Sequence, residues 1–189
     1  MTWQRVHLLV PNLITLGRML AVPVIVWLII SDRIGLAFWL FVAAGLSDAL
    51  DGFLAKQFDA RSVLGGYLDP FADKALLVSV FISLGYQGEI DGWLVILVVS
   101  RDAFIVFGVI LWRLLSHPVK IAPLVISKIN TVAQILLAGA VMARVGLGID
   151  LWGADRVLVY LVAATACASG AAYLVRWGRA AAEIEEAPR

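Results

Sequence analysis

Between Leu13 and Val175 the sequence runs through six apolar stretches. Each is about 20 residues long, which as a helix spans roughly 30 Å of hydrocarbon. They fall near Leu13–Ile30, Leu36–Ala55, Asp69–Tyr86, Trp93–Leu115, Ile121–Ala143 and Val157–Val175. The interruptions are short: Ser31-Asp32-Arg33, Gly65-Gly66, Gln87-Gly88-Glu89, His117-Pro118, the segment from Gly146 to Gly153, and the polar stretch after Trp177. In a bilayer every backbone N–H and C=O must be satisfied internally, so only helices or a closed barrel can span it. No alternation of about 10 residues marks barrel strands. The predicted fold is therefore all-α, a polytopic membrane protein built as a six-transmembrane-helix bundle. Composition agrees, because 62% hydrophobic and 15% charged residues leave too little polar surface for a soluble domain of 189 residues.

A net charge of +1 argues against a nucleic-acid partner. The single cysteine, Cys167, has no internal disulfide partner, and no Cys/His cluster suggests zinc. The apolar run after Arg5 continues to Ile30 without a small-residue cleavage site, so it is read as the first span and not as a cleaved leader. With the N-terminus inside, the inner ends hold Arg5, Lys56, Arg61, Arg113, Lys120, Arg176, Arg179 and Arg189, against Arg33, Arg144 and Arg156 outside. That bias predicts both termini, and the connection between spans two and three, on the cytoplasmic side. Trp93, Trp112, Trp152 and Trp177 fall near span ends, as an aromatic belt would place them. Residues 1–179 are expected to form one membrane domain, followed by a polar tail over 180–189 with Glu183, Glu185 and Glu186.

The chemistry is concentrated in one segment. It reads Asp48-Ala-Leu-Asp51-Gly52-Phe-Leu-Ala55-Lys56, then eight residues, then Gly65-Gly-Tyr-Leu-Asp69-Pro-Phe-Ala-Asp73. Asp48 and Asp51 are three apart and Asp69 and Asp73 four apart, so each pair shares a helix face. A short link between spans two and three makes them antiparallel neighbours and brings the pairs together at the cytoplasmic end. Asp69-Pro70 reads as a helix start, with the acid near the N-cap and proline in the first turn. Four carboxylates in a small volume repel, and each acid at membrane depth costs about 2.5–3.5 kcal/mol on insertion scales. One or two divalent cations remove that penalty. All-oxygen ligands select Mg²⁺ or Mn²⁺, and two such ions about 4 Å apart clamp a diphosphate. Gly52, Ala55 and Gly65 leave room for a ligand to approach, and Lys56 and Arg61 put cations where phosphates would sit. The plainer alternative is that the aspartates are interfacial acids paired with Lys56, Arg61 and Lys74.

This segment resembles the signature of the CDP-alcohol phosphatidyltransferases, D-x2-D-G-x2-A-R-x8-G-x3-D-x3-D. Every fixed position matches except Lys56, where the family pattern has arginine. Lysine keeps the charge and loses the bidentate fork. The resemblance implies a bundle of the CDP-alcohol phosphotransferase type. It implies that Asp48, Asp51 and Asp69 bind metal and the CDP diphosphate, with Asp48, Gly52, Ala55, Lys56 and Gly65 against the CDP-lipid. Asp73 lies beside the metal and is the implied general base for the acceptor hydroxyl. A carboxylate beside a cation is a weak base, so the metal must also acidify that hydroxyl. CMP is the leaving group, and a homodimer is a further implication.

Other pieces bear on the acceptor. Val10-Pro11-Asn12-Leu-Ile-Thr15-Leu-Gly-Arg18 is similar to the first-span motif shared by eukaryotic-type cardiolipin synthases and phosphatidylglycerophosphate synthases. Ser100-Arg101-Asp102, the run from Ile126 to Thr131, and Arg176-Trp177-Gly178-Arg179 are more like the cardiolipin synthases. The implied reaction moves a phosphatidyl group from CDP-diacylglycerol to phosphatidylglycerol, giving cardiolipin and CMP. The alternative acceptor is glycerol 3-phosphate. Arg18, Arg61, Arg101 and Lys128 are the candidate cations for the acceptor's phosphate. For Arg101 a structural ion pair stands beside that reading, with its neighbour Asp102 or an acid on another helix as partner, the latter favoured because adjacent helical residues diverge. Lys128 is equally suited to snorkel to the headgroups, and Arg18 to steady the aspartate cluster. Ser47, Thr15 and Thr131 are expected to hydrogen-bond within or between helices. A membrane transporter also carries acids inside a bundle, but its charges lie near mid-membrane in repeat-related halves. The absence of a transit peptide points to a bacterial inner membrane.

Overall fold

The computed structural model describes the backbone of residues 3–58, 63–114 and 124–186, and the side chains of 16–48, 72–111, 124–179 and 182. Six helices carry the described chain: α1 (Trp3–Ile30), α2 (Ile34–Phe58), α3 (Val63–Tyr86), α4 (Gly92–Leu114), α5 (Val125–Leu147) and α6 (Ala154–Glu186). There is no strand among the described residues. Three helices hold stretches long and apolar enough to cross a membrane, Gly92–Leu111, Val125–Leu147 and Ala154–Arg179. Among the described residues, α1 and α2 contribute the shorter apolar stretches Leu16–Ile30 and Ile34–Asp48. The described chain is thus all-helical, and the protein is a membrane protein.

Helix bounds differ from the sequence expectation where proline and glycine were read as breaks. α3 begins at Val63, so Gly65, Gly66, Asp69 and Pro70 lie within it and Asp69 is not an N-cap. The carbonyl that a proline at 70 leaves without its helical donor is that of Gly66, one turn back. α6 runs to Glu186, so the polar residues that follow Arg179 begin as a continuation of the helix.

The chain divides into two compact units, Met1–Ile90 with Ala138–Trp152, and Asp91–Leu137 with Gly153–Arg189. In the first, α1 packs on both α2 and α3. Ile25, Ile29, Ala37, Val80, Phe81 and Leu84 are fully buried there. The turn after α1 is closed by Arg33 N–H donating to Leu28 O at 2.9 Å. Gln87 then donates its side-chain amide to Ile29 O at 2.8 Å, a second bond to a helix-terminal carbonyl that also accepts from Asp32 N–H at 3.1 Å. Gly88 follows with φ +78°, a conformation that favours glycine. A Cβ on Gly35 would lie 2.6 Å from Gly146 O, so the start of α2 and the end of α5 meet backbone to backbone. Beside them Arg144 pairs with Glu89 at 3.0 Å.

In the second unit α4 packs on α6. The indole of Trp177 lies directly over Gly108, where a Cβ would overlap the ring. Phe104 and Tyr173 flank that indole, with ring centroids 5.0 and 5.6 Å away. Trp177 is therefore partly a packing residue, unlike Trp152 and Trp93, which are exposed near helix ends as an aromatic belt requires.

Candidate functional site

In the first unit one arginine joins three helices. Arg18 comes from α1, and its side chain is 2% exposed. Its Nη2 lies 2.8 Å from Asp48 Oδ1 on α2, and its Nη1 donates to Asp73 Oδ1 on α3 at 2.6 Å. The two carboxylates are 45% and 44% exposed, so they open outward while the guanidinium sits buried behind them. Arg18 Nε is buried without a hydrogen-bond partner. An arginine at such a position is tolerated because its charge is matched by two acids.

Thus two of the four predicted metal ligands converge on a single cation. Asp51 follows Asp48 by three residues within α2, and Asp69 precedes Asp73 by four within α3. Their side chains, and those of Gly52, Ala55, Lys56 and Gly65 on the same helices, lie outside the described residues, and so does Arg61 entirely. Among the described residues no three His, Cys, Asp or Glu side chains form a metal-holding group. The donor chemistry of the described pair still fits a hard divalent cation. Two half-exposed carboxylates, on two helices that both pack on α1, offer oxygen ligands only, as Mg²⁺ and Mn²⁺ favour.

Arg101 differs from the expectation. It lies in the second unit, and its acidic partner is its neighbour Asp102, at 2.6 Å, with both side chains 4% exposed. The long arginine side chain folds back far enough to meet an adjacent residue. Its interhelical partners are hydroxyls: Nη2 donates to Ser127 on α5 at 2.7 Å and to Ser169 on α6. Both terminal nitrogens are engaged inside the protein. Lys128, one residue beyond Ser127, is exposed.

A polar seam that the sequence reading did not assemble continues from this cluster. Thr165 donates to Asn130 at 2.9 Å, and Gln134 is fully buried. Ser127, Asn130 and Gln134 recur at helical spacing on α5, as Thr165 and Ser169 do on α6. That spacing of polar residues within apolar helices was the available signal. Ser47 and Thr131 behave as expected, donating to Ala43 O at 2.7 Å and Ser127 O at 3.1 Å. Thr15 lies outside the described side chains.

The site-bearing helices fall inside a known family pattern. The CDP-alcohol phosphatidyltransferase family model matches residues 8–177, and the chain belongs to that family. It is 37% identical over 185 residues to the CDP-diacylglycerol--glycerol-3-phosphate 3-phosphatidyltransferase 1, chloroplastic, of Oryza sativa subsp. japonica, covering 88% of this chain and 56% of that protein. It is 35% identical over 180 residues to a cardiolipin synthase (CMP-forming) / mitochondrial hydrolase fusion protein of Schizosaccharomyces pombe, covering 87% of this chain and 30% of that one. It is also 35% identical over 150 residues to the cardiolipin synthase (CMP-forming) of Homo sapiens, covering 71% and 50%. The chain thus spans about half the length of the rice and human relatives, and less of the yeast fusion protein.

Proposed function

We propose that the protein transfers a phosphatidyl group from CDP-diacylglycerol to the hydroxyl of phosphatidylglycerol, giving cardiolipin and CMP. The observation that carries this is the convergence of Asp48 and Asp73 on Arg18, inside a segment that keeps the family's four-aspartate spacing. Asp48, Asp51, Asp69 and Asp73 would hold one or two Mg²⁺ or Mn²⁺ ions. Such ions neutralise a diphosphate and stabilise the leaving phosphate oxygen. Asp48, Gly52, Ala55, Lys56 and Gly65 would receive the CDP-lipid, with Lys56 supplying a point charge to its phosphates.

The transfer is a displacement at the phosphorus that carries diacylglycerol. The acceptor oxygen bonds to that phosphorus, its proton passes to Asp73, and the bond to the bridging diphosphate oxygen breaks to release CMP. Orienting both lipids at one membrane face turns the encounter into a nearly intramolecular step. Of the cations considered for the acceptor, Arg18, Arg61, Arg101 and Lys128, the first is buried and engaged by Asp48 and Asp73. Exposure favours Lys128, and the internal engagement of Arg101 favours a structural part for it. Six membrane spans, a single family domain over 1–179, cytoplasmic termini and a bacterial inner membrane complete the reading. The match over 8–177 supports the single domain, and the one-sided distribution of Lys and Arg supports the placement of the termini. Whether the protein acts as a homodimer belongs to the same proposal.

The cardiolipin synthases among the relatives support phosphatidylglycerol as acceptor, while the rice relative favours glycerol 3-phosphate as a second reading. Purified protein given CDP-diacylglycerol with each alcohol separately distinguishes them. Mass spectrometry is expected to find cardiolipin from phosphatidylglycerol. Phosphatidylglycerophosphate from glycerol 3-phosphate alone would overturn that acceptor, and no CMP with either would overturn the transferase reading.

A further inference from the structure

Arg18 stands on a different helix from the family's aspartate segment, yet it is the group that joins Asp48 and Asp73. We propose that Arg18 is a positioning residue for this chemistry, a fixed cation that sets the separation of Asp48 and Asp73 from behind. The inference rests on the metal-dependent reading above and deepens it.

Three observations carry it. First, the two terminal nitrogens are divided between two carboxylates on two helices, at 2.8 and 2.6 Å, so the planar fork acts as a strut of fixed width. A lysine ammonium has the same charge and no such width. Second, the exposures are asymmetric: 2% for the arginine side chain against 45% and 44% for the acids. The strut therefore occupies the protein side and leaves the outer side of the carboxylates accessible. Third, both contacts use Oδ1, one oxygen per acid. A buried charge of this kind is poorly replaced, because removing it takes away the one guanidinium that both acids share. An ion binding on the outer side restores a counter-charge, so metal and Arg18 are partly redundant for stability. They are not redundant for geometry.

The test compares wild type, Arg18→Gln and Arg18→Lys by thermal unfolding in detergent, first with EDTA and then across a Mn²⁺ titration. In EDTA both variants are expected to unfold about 5 °C or more below wild type, with lysine failing to rescue. Saturating Mn²⁺ is expected to shrink the deficit of Arg18→Gln, so its metal-dependent rise exceeds that of wild type. Equal unfolding temperatures in EDTA, full rescue by lysine, or, where wild type itself rises with Mn²⁺, a deficit unchanged by the ion would each overturn the proposal. If Arg18→Gln yields no folded protein, Arg18→Gln/Asp73→Asn is compared instead. Recovery of folded protein supports the strut, and continued failure counts against it. A wild type that shows neither a Mn²⁺-dependent rise nor CMP release would sink the metal-transferase reading alone, because the EDTA comparison still reports on the Arg18 bridge.

Discussion

At the scale of single residues, Asp73 has two assignments to reconcile: it is the proposed base, and it accepts a hydrogen bond from Arg18. General base catalysis typically contributes about 10²–10⁴-fold, so Asp73→Asn is expected to lower CMP release by at least about 100-fold while the protein stays folded. Near-normal turnover in that variant would remove Asp73 from the base role. Lys56→Arg restores the family residue and its bidentate fork. It is expected to lower the KM for CDP-diacylglycerol by up to about 10-fold, and an unchanged KM would mean that Lys56 does not touch the diphosphate. That Asp48 and Asp73 come together was legible in the sequence, because a short link between their helices was expected to bring the two acid pairs to one end; Asp51 and Asp69 lie outside the described side chains. Arg18 was there one of four candidate cations for the acceptor, with steadying the aspartate cluster as its other reading, and its contacts to Asp48 and Asp73 agree with the second. Which cation meets which acid depends on how α1 packs, and no local pattern encodes that.

At the scale of elements, the same division recurs. Hydropathy located all six helices, but proline and glycine misled at α3, where Gly65, Gly66 and Pro70 sit inside the helix. The close approaches were also hidden, since a glycine in a sequence does not announce what lies against it. Trp177 covers Gly108, and Gly35 meets Gly146. Helices in lipid associate by close packing and polar contacts, because lipid tails are as apolar as the helices themselves. Gly108→Val should therefore displace the indole and lower the unfolding temperature by about 5 °C, with little effect from the same change at Gly170, where a Cβ meets nothing within 4 Å. Asp102→Ala would strand Arg101 and is expected to destabilise by roughly 3–5 kcal/mol, read by denaturation in detergent. A variant as stable as wild type would show that Arg101 needs only its serine partners.

At the scale of the whole molecule, the proposed function needs the acids of this helical membrane protein gathered at one membrane face, within reach of two lipid-borne substrates. Topology is open to direct measurement in a Cys167→Ser background. Glu183→Cys is expected to label from the cytoplasmic side only and Asp91→Cys from the opposite side, and the reverse pattern would invert the orientation. The central claim is narrower: the aspartates of α2 and α3 serve a divalent cation that acts on CDP-diacylglycerol. Its most direct test is CMP release by the purified protein from CDP-diacylglycerol and phosphatidylglycerol, in EDTA and with Mg²⁺ or Mn²⁺ restored. The account predicts release only with the ion present, and none from Asp48→Asn; release undiminished in EDTA, or retained in that variant, would contradict it.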